Sequence, residues 1–412
     1  MIGNSVARVL IAPDSFKGSA MSTEIAEWIK QGWLEVRPQD QVVVKPMADG
    51  GEGTLLAIEA SLEDTTRITQ SVMGPDNRSH NAFWLLTDDG VAIVELASIC
   101  GITQLDGALL PIASHTFGLG QVLYDISRDT DIGAVIVALG GSASTDGGTG
   151  ALRALGYRFL KEDGGDIAIG SSELKEIIEI DSTHAATPPP GALIYLVDVA
   201  NPLLGERGAA RIFAPQKGAN ETQVVELEAG LSNLLRVCEV PDSPGAGAAG
   251  GTAYGLSSLW GGQVRSGART IATITKLHEE IAVANFVITG EGHLDSQSFG
   301  GKVVGTIAEL VKAEKVRKFE NENRAGATKL AIIAGGVDGE LAREIAGGSE
   351  PHLSGLLAGV VTLTSERRDR ETAMVQVCEA TREAAADLAR KFTLDSGVDA
   401  QNSRDEVGTI SE

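Results

Sequence analysis

Aromatic side chains make up only 4% of this sequence, so its cores must be built from Ala, Leu, Ile and Val rather than from large rings. Cysteine is rarer. The three present (Cys100, Cys238, Cys378) lie far apart and match no zinc spacing, which argues against a disulfide scaffold and predicts free thiols in a reducing compartment. No apolar run approaches the ~18 residues of a membrane helix. The start, "MIGNSVARVLIAPDSF", has no charged segment leading into a long apolar core, so neither a signal peptide nor a membrane span is expected and the expected location is cytoplasmic. Positive charge is also short: 34 Lys and Arg face 56 Asp and Glu, a formal charge of −22. Such a field repels nucleic acid and anionic membranes, so neither is an expected partner. An anionic small molecule would have to be held by local Lys, Arg and helix N-termini.

Glycine is the excess: 50 of 412 residues, about 12% against a usual ~7%. It gathers in short loops, which suggests close approach of backbone to ligands. "VARVLIA", the loop "PDSFKGSAMST" and the periodic "EIAEWIKQGWLEV" read as strand, loop and helix, and "QVVVKPMADGGEGTLLAIEASL" repeats the pattern. That alternation predicts a parallel sheet with ligands at the carboxyl ends of its strands. From "TTRITQSVMGPDNRSHNAFWLLTDDGVAIVELA" the texture changes to a three-strand meander, and strict alternation returns at "NFVITGEGHLDSQSFGG". The fold class expected is α/β, a parallel-sheet domain (1–70 plus 285–392) interrupted by an inserted mixed α/β domain (71–284). "KFENENRAGATK" reads as an exposed loop, and 393–412, which lacks periodicity, as a disordered tail.

One device occurs three times: an apolar strand, a Gly-rich turn bearing carboxylates or hydroxyls, then a helix. The instances are "VVVKPMADGGEGT", "VIVALGGSASTDGGTGA" and "FVITGEGHLDSQSFGGK". Each sets helix N-terminal N–H groups beside the loop, a phosphate-handling arrangement, although a single such loop can be plain turn chemistry. "GAGAAG" at 245–250 fits a dinucleotide turn, but Arg265 and Arg269 stand where an acidic residue belongs. Small residues for close packing are the better reading. "GGKVV" lacks the spacing of a P-loop. Lys17 lies beside Asp14 and Ser15 at the end of the first strand, where a lysine can neutralise a phosphoryl group. Asp198 and Asn201 end a strand, where Asp can equally cap a turn, and Arg211 and Lys217 could hold a substrate carboxylate or be ordinary surface cations. No Ser, Cys or His nucleophile signature accompanies them. Carboxylates and lysines on Gly-rich loops suit phosphoryl transfer.

Together "IAPDSFKGS", "PMADGGEGT", "ALGGSASTDGGTGALRALG", "DVANPLLGERGAARIFAPQKGA" and "VITGEGHLDSQSFGGKVVGTIA" resemble the bacterial glycerate kinases of the first type, in order and across roughly residues 5–390. The resemblance implies ATP-dependent phosphorylation of D-glycerate, usually to 2-phosphoglycerate. It also implies a flavodoxin-like domain and an inserted domain with the active site in the cleft between them. On that reading Asp295 or Asp198 is the base for the substrate hydroxyl, and Lys17 and Lys302 sit on the phosphates of ATP. Backbone groups of Gly50, Gly51, Gly147 and Gly148, with Ser142 and Thr145, complete the nucleotide site. Asp14, Ser15, Asn201, Arg211 and Lys217 bind substrate, and Asp49, Glu52, Asp146 and Glu291 are the candidates for Mg²⁺. A glycerate 3-kinase, a kinase of a related hydroxy acid, a nucleotide-dependent oxidoreductase and a non-catalytic acid sensor are the alternatives. Monomer and homodimer are both left open.

Overall fold

The computed structural model describes residues 6–322, 328–364 and 369–405, with the side chains of 320–322 and 394–405 outside that description. It divides into two units. The first is 1–48, 56–61 and 271–412; the second is 49–55 and 62–270.

With strands numbered along the chain, the first unit holds β1 (Arg8–Ile11), β2 (Gln41–Val44), β11 (Phe286–Glu291), β12 (Lys329–Ala334) and β13 (Leu357–Thr362). They form one all-parallel sheet in the order β13-β12-β11-β1-β2. Counted within the unit this is 2-1-3-4-5, the flavodoxin-like order, whose switch point falls between its first and third strands. Val9, Ile11, Phe286, Ile288, Ala331 and Ile333 are buried against helix Ser22–Val36 and the helix beginning at Val377. Helix Ser22–Val36 presents Ile25, Ala26, Ile29 and Trp33 on one stripe, and each fully buried large apolar side chain contributes on the order of 1.5–3 kcal/mol.

The second unit holds β3 (Thr65–Met73), β4 (Ser79–Thr87), β5 (Val91–Glu95), β6 (Ala134–Ala138), β9 (Leu193–Val197) and β10 (Gln263–Ser266) in one mixed sheet, ordered β10-β9-β6-β5-β4-β3. The β3–β4–β5 meander is antiparallel and the remaining pairs are parallel. A small antiparallel pair, β7 (Arg158–Leu160) and β8 (Glu179–Asp181), completes it. The two α/β units of the sequence reading are present, with different borders. β3 pairs with β4 along its whole length and so cannot be cut at 70. Helix Leu277–Val283 counts with the first unit, where Glu280 accepts from Arg8 Nη2 at 2.7 Å.

Two further expectations change. The long helix Val303–Glu322 takes in the first half of "KFENENRAGATK", while 323–327 lie outside the described residues. The final helix, Val377–Asp405, continues past 393; residues 406–412 lie outside the described residues. A helix already nucleated and packed extends by one bond per residue, so it needs no apolar stripe of its own. All three cysteines are free, and among the described residues no helix is long and apolar enough to cross a membrane.

Candidate active site

In the first unit the loops after β1 and β11 meet at the switch point. Asp14 N–H donates to Gly290 O at 2.8 Å, and Thr289 Oγ1 donates to Ala12 O at 2.9 Å. Buried Phe16 pins the β1 loop through its backbone bonds with Ala20, and leaves Lys17 exposed at the tip. Ser15 N–H donates to Asp14 Oδ1 at 2.7 Å. After β11, Glu291 is buried and Asp295 is half-buried. Asp295 caps the short 3₁₀ turn Ser296–Phe299, accepting from Gln297 N at 2.8 Å and Ser298 N at 3.2 Å. These bonds both fall on Oδ1. Lys302 is half-buried immediately before helix Val303–Glu322. This unit therefore gathers Asp14, Ser15, Lys17, Glu291, Asp295 and Lys302 on two adjacent loops.

The second unit takes in residues 49–55, where the "DGGEGT" segment leads into the start of helix Thr54–Ser61. Its N-terminal N–H groups are not bare. Leu55 N–H donates to Glu95 Oε2 at 3.0 Å, and Thr54 N–H faces Gly51 O at 3.4 Å. Gly51 N–H faces Asp49 Oδ1 at 3.2 Å. The acceptor at this helix start is thus a side chain of the protein, and the expectation of free N–H groups for phosphate at Gly51 is corrected. Asp49 is half-buried and Glu52 exposed, so their carboxylates are still reachable. Glu95 ends β5 almost fully buried. That burial pushes its carboxyl up to about 7, opposed by the nearby backbone N–H groups of Leu55, Gly53 and Thr54 and reinforced by the charge of Glu52.

The "GGSASTDGGTG" loop also differs from expectation. Asp146 is fully buried and accepts from Thr116 N (2.9 Å), Thr116 Oγ1 (2.8 Å), Gly150 N, Ser144 Oγ and Gly148 N (each 3.2 Å). Five donors fill a carboxylate's acceptor sites, so Asp146 holds this loop together and is no metal ligand. Gly147 N–H donates to Gly250 O at 3.1 Å. With Gly148 N–H on Asp146, neither glycine has an N–H left for phosphate. Ser142 is bonded to Ser144, and Thr145 is fully buried. Lys217, expected on a substrate carboxylate, is buried instead and donates from Nζ to Ser144 O. Burial lowers its pKa to about 8, against the opposing pull of Asp146. The "GAGAAG" stretch packs here. Gly250 has φ +65°, and a Cβ on it would lie 2.2 Å from Ser144 O. This is close packing rather than a nucleotide turn.

Asp198 is exposed just past the end of β9. Asn201 Nδ2 donates to Arg207 O at 2.7 Å, and exposed Arg211 lies 3.7 Å from Glu206. Among the described residues no group of three or more His, Cys, Asp or Glu side chains is arranged to hold a metal ion. The sequence reading missed Glu95, Thr116 and His115. Glu95 had a signal, being the lone charge inside "VAIVELASIC". His115, which burial keeps below its ordinary pKa, packs between Asn77 and the start of helix Phe117–Arg128 without one.

Residues 9–390 match the family model described as "Glycerate kinase family". The chain is 37% identical over 314 residues to the glycerate 2-kinase of Escherichia coli (strain K12), covering 74% of this chain and 82% of that protein. It is 35% identical over 339 residues to a glycerate kinase of Halalkalibacterium halodurans, covering 80% and 89%. A solved crystal structure from Salmonella typhimurium LT2 superposes with a TM-score of 0.76 at 30% identity, covering 96% of this chain and all of that one.

Proposed function

Since the chain belongs to the glycerate kinase family, a family of phosphotransferases that phosphorylate glycerate at the expense of ATP, we propose that its product is 2-phospho-D-glycerate. The 37% identity to a protein named glycerate 2-kinase supports the 2-position. The observation that carries the assignment of chemistry is the presence of Lys17 and Asp295 on neighbouring loops at the switch point of a flavodoxin-like sheet, where such sheets bind ligands.

The substrate hydroxyl oxygen attacks the γ-phosphorus, its proton passes to a carboxylate, and ADP departs with the β–γ bridging oxygen. Asp295 is the preferred base because its cap bonds fall on one oxygen, Oδ1; Asp198 is the second candidate. Lys17 and Lys302 neutralise phosphate oxygens. Arg211 takes the substrate carboxylate, with Asn201 as a further polar group of the second unit; Asp14 and Ser15, after β1 of the first unit, are the other substrate-binding candidates. The carboxylates of Asp49 and Glu52 in the second unit, or separately that of Glu291 in the first, would suit Mg²⁺, which commonly uses one or two carboxylates and the substrate's phosphates rather than an all-protein cage. When bound, Mg²⁺ would neutralise charge on the transferring phosphates.

The test is ADP release from Mg-ATP with D-glycerate, with product split between two couplings. Enolase alone converts 2-phosphoglycerate to phosphoenolpyruvate, whereas 3-phosphoglycerate requires a mutase first. Signal with enolase alone supports the 2-kinase. Signal only after mutase is added overturns the position, and no glycerate-dependent ADP from folded protein overturns the substrate.

A further inference from the structure

The carboxylate-bearing segment Asp49–Glu52 is held from three sides within the second unit. Beneath it, Glu95 at the end of β5 accepts from Leu55 N–H at 3.0 Å, in the first turn of the helix that the segment enters. On one flank Gly140 N–H donates to Gly50 O at 2.9 Å, and a Cβ on Gly140 would lie 2.4 Å from Gly51 Cα. On the other, a Cβ on Gly267 would lie 1.8 Å from Asp49 O. Gly50 itself takes φ +98°, a conformation that glycine adopts without strain. The helix that follows has no acidic side chain of its own in its first turn, so Glu95, forty positions away, is the group that fixes where the chain turns.

We propose that Glu95 is a positioning residue for the metal–nucleotide step: it sets the place of Asp49 and Glu52 without touching substrate, nucleotide or metal. The proposal rests on the kinase reading above, in which those two carboxylates face Mg²⁺. The hydrogen bond from Leu55 N–H to the Glu95 carboxyl defines the loop's height, and the two glycine contacts define its lateral position. Removing the carboxylate frees the loop to shift, and the loss falls on Mg-ATP rather than on glycerate. Gln keeps an acceptor oxygen of the same reach and so retains part of the hold. Gly267→Ala pushes the same loop from the opposite side through the Asp49 carbonyl, leaving Glu95 intact.

The test uses the full chain and two readouts, thermal stabilisation by ATP across a Mg²⁺ titration and initial rates with each substrate varied. In folded Glu95→Ala the half-saturating Mg²⁺ is expected to rise about tenfold or more, the size seen when a partner of a metal ligand is removed. The KM for glycerate should stay within about twofold, and Glu95→Gln should recover most of the loss. Gly267→Ala should share the Mg²⁺ effect, and it carries the test alone if Glu95→Ala does not fold. Unchanged Mg²⁺ half-saturation in either folded variant overturns the proposal, as does equal loss toward Mg-ATP and glycerate. Wild-type protein whose stabilisation by ATP ignores Mg²⁺ also overturns it. Wild-type protein that binds Mg-ATP but releases no ADP with glycerate refutes the substrate assignment instead, and the binding readout still decides the role of Glu95.

Discussion

Asp146→Ala removes the acceptor from five donors at once, all in buried residues: Thr116 N and Oγ1, Ser144 Oγ, Gly148 N and Gly150 N. Each orphaned donor costs on the order of 1–3 kcal/mol, but the terms are not additive because the loop relaxes. Breaking a buried charged network by removing one partner typically costs about 3–5 kcal/mol, so about 4 kcal/mol is expected here. The same change leaves Lys217, buried with its Nζ on Ser144 O, without the nearby charge that favours its ammonium. Urea unfolding followed by tryptophan fluorescence and circular dichroism measures the effect. With a slope of ~2–3 kcal/mol per molar urea, the midpoint of the transition that reports the second unit falls by roughly 1.5–2 M. Asp146→Asn keeps one oxygen but turns an amide N–H₂ toward donors, so it should lose about half as much. In the residual folded protein the Mg²⁺ requirement should match wild type. A midpoint shift under ~0.5 M together with a raised Mg²⁺ requirement would refute the reasoning and return Asp146 to the metal.

Replacing Lys17 or Asp295 by Ala should lower turnover by about two or more orders of magnitude while the fold survives, measured by ADP release and circular dichroism; near-normal rates in both folded variants would remove them from the chemistry. Arg211→Ala should raise KM for glycerate by about ten- to a hundredfold, leaving KM for ATP unchanged, since a charge-assisted bond to a carboxylate is worth ~1.5–3 kcal/mol. The pKa of Glu95 is raised on folding from 4.5 to about 7, so between those values the native state binds more protons than the unfolded. Its contribution is therefore complete below pH 4.5 and lost as pH rises through about 7, a change of roughly 3 kcal/mol. Glu95→Gln should flatten that part of the stability–pH curve, and an identical slope in wild type and variant would show that the carboxylate ionises at its ordinary pKa.

The alternation of strand and helix, the meander between them and the Gly-rich loops were legible because each rests on local rules. Burial periodicity marks "VARVLIA" and "FVITGE" as inner strands, and "DDG" can only be a turn. Domain borders were less legible. A change of texture near 70 marks where the pattern alters, whereas the unit border follows the hydrogen-bonded partner of β3. The tail was misjudged for a similar reason: "TLDSGVDAQNSRD" has no stripe of its own, yet its backbone extends a helix that began at Val377.

Among the functional groups, residue types and their loops could be read in order, and so could the family. Which of those groups remain available to a ligand could not. Leu55 N–H is taken by a carboxylate 40 positions away, Asp146 by a threonine 30 positions away, and Lys217 by a carbonyl 73 positions away. By itself the sequence determined the elements, the motif set and the chemistry they suit, because propensity, periodicity and turn chemistry act over a few residues. Only the tertiary structure decided that Asp146 and Lys217 are internal supports and that Glu95 holds the Asp49–Glu52 loop. A buried polar group must satisfy itself with whatever neighbour the fold brings to it, and that neighbour is not written beside it in the chain.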